Sequence, residues 1–168
     1  MSEDIGRRSF LTRLWKGGLA LLGAAAVWTS WDVLQPPTAA GTTGPIRTVP
    51  AGAIRSTTVV EVKPARGYLT KEGDEVIALS WRCPHLGCRV PWCDSSAEFE
   101  CPCHGSIFNR VGEYREGPAP RGMDRYPTTV DENGVVVIDT SIVIEGPPPG
   151  PESIDEPPAG PRCIGAEA

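Results

Sequence analysis

Two short segments, Cys83-Pro-His85-Leu-Gly-Cys88 and Cys101-Pro-Cys103-His104-Gly-Ser106, hold four of the six cysteines and both histidines of the chain. Cys83-x-His85 and Cys101-x-x-His104 each offer one sulfur and one nitrogen, so two neighbouring loops can clamp a flat two-iron cluster from both sides. A 2Fe–2S centre in which imidazoles replace two thiolates has a raised reduction potential, and electron transfer is the chemistry this ligand set predicts. Structural zinc is the competing use of two Cys and two His. Zinc ligands usually come as Cys-x-x-Cys or His-x-x-x-His pairs, and zinc has no need of Cys88 and Cys103. Disulfides alone, in a small exported domain, would leave both histidines at ligand spacing by accident.

Elements must hold such loops in place. Pro84, Gly87, Pro102 and Gly105 suit tight loops rather than helices or strand centres, so the ligands are expected on loop tips. Around them, Thr57 to Val62, Glu75 to Trp81 and Gly134 to Ile138 are rich in β-branched residues and bounded by Gly, Asn, Asp or Pro, and read as strands. Tyr126 to Val130 and Ser106 to Phe108 are weaker strand candidates, and Glu132-Asn133-Gly134 reads as a hairpin turn. The expected fold is all-β: a small antiparallel sandwich or barrel over 46–144, with a cluster-binding subdomain inserted at about 82–121. So small a core gains from covalent staples. With 168 residues and a net charge of -5, the chain fits one modest domain plus appendages, and nothing is basic enough for nucleic acid.

The motif C-x-H-L-G-C followed by C-P-C-H-G-S resembles the Rieske iron–sulfur subunits of cytochrome bc complexes, over about Thr57 to Ile138. The resemblance implies a 2Fe–2S cluster with Cys83 and Cys101 on the buried iron and His85 and His104 on the exposed one. It implies a Cys88–Cys103 disulfide tying the loops together, and a hydrogen bond from Ser106 to a bridging sulfide. Gly117-Pro118-Ala119-Pro120 looks like the family's proline loop, covering the cluster from a third side. One position departs: many high-potential members carry a tyrosine where this chain has Phe108, so one hydrogen bond to a ligand sulfur is missing and a lower potential is expected. A lower-potential quinol such as menaquinol would suit it.

The amino terminus speaks to compartment. Arg7-Arg8-Ser9-Phe10-Leu11 followed by an apolar run to Leu34 is a twin-arginine export signature. Export of folded cargo suits a cluster assembled in the reducing cytoplasm, with the disulfide formed afterwards. Residues 1–34 are read as this signal and a retained anchor, since Leu14 to Leu34 is about long enough to cross a bilayer. Trp15, Trp28 and Trp31 sit towards its ends as interfacial aromatics do, and Arg7, Arg8, Arg13 and Lys16 place the amino terminus in the cytoplasm. Residues 35–45 read as a flexible linker, which the resemblance makes a hinge. Residues 145–168, proline-rich and poor in large apolar residues, are expected to form an extended, mobile tail. Cys93 and Cys163 are left over, either paired, free or linked to a partner subunit.

The function the resemblance implies is quinol:cytochrome c reductase chemistry in a membrane complex. His104, with His85 beside it, would receive a quinol bound against the cytochrome b subunit, and the head would then discharge to a c-type cytochrome. Leu86 and Pro118 would form part of the apolar docking rim. The alternative is the Rieske small subunit of an exported molybdenum enzyme such as arsenite oxidase, where no quinol binds.

Overall fold

The computed structural model describes residues 6–35 and 44–165, which fall into two compact units. The hinge assigned to the linker therefore lies largely outside the described residues. In the first unit a single helix, α1 (Arg7–Leu34), runs for 28 residues with no buried side chain. It is long and apolar enough to cross a membrane by length and composition. At 1.5 Å per residue it is about 42 Å long, and the four cationic residues expected to mark the cytoplasmic side occupy its first turns.

In the second unit eleven strands form three antiparallel sheets, with no closed barrel among the described residues. The base sheet joins β1 (Pro45–Pro50), β11 (Val135–Asp139) and β10 (Thr128–Val130), in the order β1-β11-β10. β1 is an edge strand, the place where its flanking prolines remove no ladder hydrogen bond. The turn expected at residues 132–134 joins β10 to β11: Asp131 Oδ1 accepts the Asn133 and Val135 amides, and Gly134 takes φ 75°.

The middle sheet runs β2 (Val60–Val62), β3 (Gly67–Glu72), β4 (Glu75–Ser80) and β9 (Arg125–Tyr126). It is buried on both faces. Leu69 and Ala78 pack with Val136 and Ile138 of the base sheet, while Tyr68, Ile77 and Leu79 point the other way into a second core with Phe99, Phe108, Cys83 and Cys101. That two-sided burial explains why β4 reads as an apolar run rather than an alternation. Residues Tyr126 to Val130, expected as one strand, make two. Pro127 lacks an amide hydrogen and marks the place where the chain leaves the middle sheet at β9 and joins the base sheet at β10.

The third sheet, β5 (Trp92–Cys93), β6 (Glu98–Glu100), β7 (Ile107–Phe108) and β8 (Tyr114–Glu116), is inserted between β4 and β9. Both histidine-bearing loops belong to it.

The expected mobile tail is a correction. Residues 146–147 bond to Asp124 and Gly122, and residues 152–164 lie along this third sheet as a strap. Glu156 makes paired bonds to Arg110 at 2.7 and 2.8 Å, Glu152 pairs with Arg115 at 2.7 Å, and Arg162 reaches Glu116 at 2.6 Å. Cys163 is bonded to Cys93, which closes the question left by the two spare cysteines. Apolar burial is indeed scant, since Ile154 alone of the strap packs against the core. Charge-assisted bonds to arginines already fixed by the sheet, together with one covalent link, hold it instead.

Candidate metal centre

The two ligand loops have one backbone design. In the first, the Cys83 amide donates to the Cys88 carbonyl at 2.7 Å and the Gly87 amide to the Cys83 carbonyl at 2.8 Å. In the second, the Cys101 amide donates to the Ser106 carbonyl at 2.8 Å and the Gly105 amide to the Cys101 carbonyl at 3.0 Å. Gly87 and Gly105 take φ 79° and 74°, a left-handed turn that a side chain would strain. The repeated Cys-Pro-x-x-Gly is the sequence signal for this twin turn. Each loop springs from a fixed base: the buried Tyr68 hydroxyl donates to the Val90 carbonyl at 2.9 Å behind the first, and the Glu100 amide donates to the Pro91 carbonyl at 3.0 Å behind the second.

These turns bring all six expected residues together. Cys83 and Cys101 are 3 % and 1 % exposed and carry free thiols, while every other cysteine is in a disulfide. The His85 and His104 rings lie edge to face with centroids 4.8 Å apart. His104 is exposed and His85 half-buried. Cys88 and Cys103 form the disulfide between the loops, with Cα atoms 6.6 Å apart. The sulfurs of Cys88, Cys101 and Cys103 lie within 4.8 Å of one another, but two of the three are bonded together, so that trio is no metal site of its own.

The residues fit a cluster. His85 Nδ1 is buried without a hydrogen-bond partner, an arrangement that costs free energy unless a metal or donor meets it. Burial pushes the Cys83 thiol up from its ordinary value, the adjacent Cys101 thiol adds to the rise, and the His85 amide and Ser106 hydroxyl oppose it. A buried thiol whose ionisation is disfavoured by burial and by a second thiol beside it is what a polycation relieves.

A third loop closes over this site. Ser106, fully buried, accepts the Ala119 amide on its hydroxyl at 3.2 Å. A Cβ at Gly117 would sit 2.5 Å from Ser106 Cα and 2.7 Å from the Gly105 carbonyl, so only glycine allows this approach. Tyr114 was not anticipated. Its hydroxyl donates to the Gly117 carbonyl at 2.6 Å and pins the loop from the neighbouring strand, directly opposite Phe108 in the β7–β8 register. No sequence signal marks it, because the pairing comes from a bulged register. Phe108 itself is fully buried among the second core. Leu86 is 70 % exposed at the tip of the first loop.

Comparison with known proteins gives the same direction. Residues 42–127 match the Rieske 2Fe–2S domain. Cytochrome b6-f complex iron–sulfur subunit 2 of Synechocystis is 31 % identical, the alignment covering 82 % of this chain and 86 % of that one. The cytochrome b6-f complex iron–sulfur subunit of Microcystis aeruginosa is 32 % identical over the same shares. Among solved structures, a chain of a hyperthermophilic respiratory Complex III is 26 % identical, covering 73 % of this chain and 98 % of that one with a TM-score of 0.40.

Proposed function

This chain belongs to the Rieske 2Fe–2S domain family, and on that premise we propose that it is the electron-carrying subunit of a cytochrome bc-type complex, oxidising membrane quinol and reducing a c-type cytochrome. The observation that carries the reading is the convergence of two free buried thiols and two imidazoles, one of them exposed, in one pair of loops. Cys83 and Cys101 would hold the cluster through sulfur, and His85 and His104 through nitrogen. The 2Fe–2S cluster supplies a one-electron acceptor at raised potential. Burial of the two cysteines keeps water from their sulfurs, and the Ser106 hydroxyl acts on the Cys83 sulfur. His104 offers its ring at the surface, where a quinol hydroxyl can donate to it and the proton can follow the electron. Leu86 and Pro118 give the approach an apolar rim. Helix α1 serves as a single-pass anchor with its arginines in the cytoplasm and the β domain outside.

Purification of the native assembly through this subunit tests the reading. Recovery of a b-type cytochrome, and quinol-dependent reduction of a c-type cytochrome that disappears with His104→Ala, are expected. Recovery of a molybdenum oxidase subunit, with cluster reduction in the absence of quinol, would overturn it.

A further inference from the structure

The third sheet has two faces, and the strap covers the one turned away from the metal centre. In the β5–β6–β7–β8 register, Trp92, Phe99 and Phe108 share the face that meets the core, whereas Cys93 lies opposite Glu98, and Glu100 opposite Ile107, on the outer face. Glu98 and Glu100 have no solvent exposure. Carboxylates are seldom buried so fully without partners, and here the sheet and the strap supply them together. The Ile164 amide donates to Glu100 Oε2 at 2.7 Å, with Ser96 Oγ on Oε1 at 2.6 Å. Arg115 meets Glu98 Oε1 at 2.9 Å, and Arg162 Nε stands 3.8 Å from its other oxygen, which has no hydrogen bond. Glu100 adjoins Cys101, so this seal lies directly behind a cluster loop.

We propose that Cys93–Cys163 is a thiol–disulfide site that locks the end of the strap over Glu98 and Glu100, and that a dithiol reductant opens it. The two sulfurs differ in access: Cys163 is exposed and Cys93 is 2 % exposed. A reductant thiolate attacks the Cys163 sulfur, the Cys93–Cys163 bond breaks, and Cys93 leaves as a thiolate. Its sulfur lies 3.2 Å from the Ser95 hydroxyl, a ready hydrogen-bond donor once Ser95 releases the Pro161 carbonyl it now holds at 2.7 Å. The reductant's second thiolate resolves the mixed disulfide, so two electrons pass to the cysteines and the dithiol becomes a disulfide. Residues 159–164 then retain only the Arg162 pairs and single hydrogen bonds, while Glu152 and Glu156 still hold the first half of the strap. The inference goes beyond electron transfer and requires only that the domain hold its cluster.

The test uses the full-length protein with its cluster, treated with graded dithiothreitol, alkylated and mapped by peptide mass. Cys93 and Cys163 should be labelled before Cys88 and Cys103. Amide exchange over 159–164 should rise by about tenfold while that around Glu152 is unchanged, and iron should pass faster to a chelator. Cys163→Ser, a change at an exposed position, should reproduce both effects without reductant. Labelling of Cys88 and Cys103 first, or wild-type exchange over 159–164 in Cys163→Ser, would overturn the proposal.

Discussion

Place the loop of Cys83 upon that of Cys101 by their shared hydrogen bonds, and Gly87 falls on Gly105, Cys88 on Ser106, His85 on Cys103 and Leu86 on His104. The backbone turn is the same, yet each loop uses a different rung for its imidazole. One histidine follows its cysteine by two residues and the other by three, and that offset leaves Cys103 free to reach Cys88 across the gap. It also leaves Leu86 outward where the second loop has His104. A single turn design, repeated with its side chains out of step, thus yields ligands, a staple and an apolar tip. Two copies with the same side chains would supply fewer roles.

Four substitutions break or sharpen this comparison. The largest effect is expected from His104→Ala, which leaves the second loop with Cys101 alone: the cluster should be lost, read as absent visible absorption and iron, while the Cys88–Cys103 bond persists by mass mapping. Next is Cys88→Ser, which removes the staple and not a ligand. Its bond closes a separation of 15 residues, so roughly 3 kcal/mol of stability should go in denaturant unfolding of the oxidised protein. At the matching rung of the second loop, Ser106→Ala should spare the fold and act on the electron: loss of one hydrogen bond to the sulfur side should lower the midpoint by roughly 20–60 mV, the one-electron equivalent of ~0.5–1.5 kcal/mol. Smallest is Phe108→Tyr. Adding a hydroxyl to a fully buried ring should raise the midpoint by roughly 20 mV, the weak end of one hydrogen bond, and an unchanged redox titration would remove Phe108 from the account.

The same contrast between local and distant causes governs what could be read in advance. The two loops of candidate ligands, the hairpin turn at residues 132–134 and the β4 strand were legible because each is written in contiguous residue types: soft donors between turn formers, asparagine before glycine, an apolar β-branched run. β1, β3, β5, β6 and β8 were not: β1 begins and ends on proline, β3 opens on glycine, and β5, β6 and β8 are two or three residues long, so that a stretch such as Glu98-Phe-Glu100 looks like a loop until both faces are covered. The strap shows the limit most clearly. Judged by apolar content, residues 145–168 lacked the means to order, and that reasoning was sound for hydrophobic burial. It omitted Arg110, Arg115 and Cys93, whose positions across the sheet depend on the completed fold.

From the sequence alone came the identity of the metal-binding chemistry, the antiparallel β class and the apolar amino-terminal helix, since donor type, turn propensity and hydropathy act over a few neighbouring residues. Only the tertiary structure decided that Cys93 meets Cys163, that Tyr114 pins the third loop, and that two buried glutamates lie sealed behind Cys101. Those are contacts between residues far apart in the chain, and their partners are chosen by sheet register and packing rather than by anything the residues carry locally.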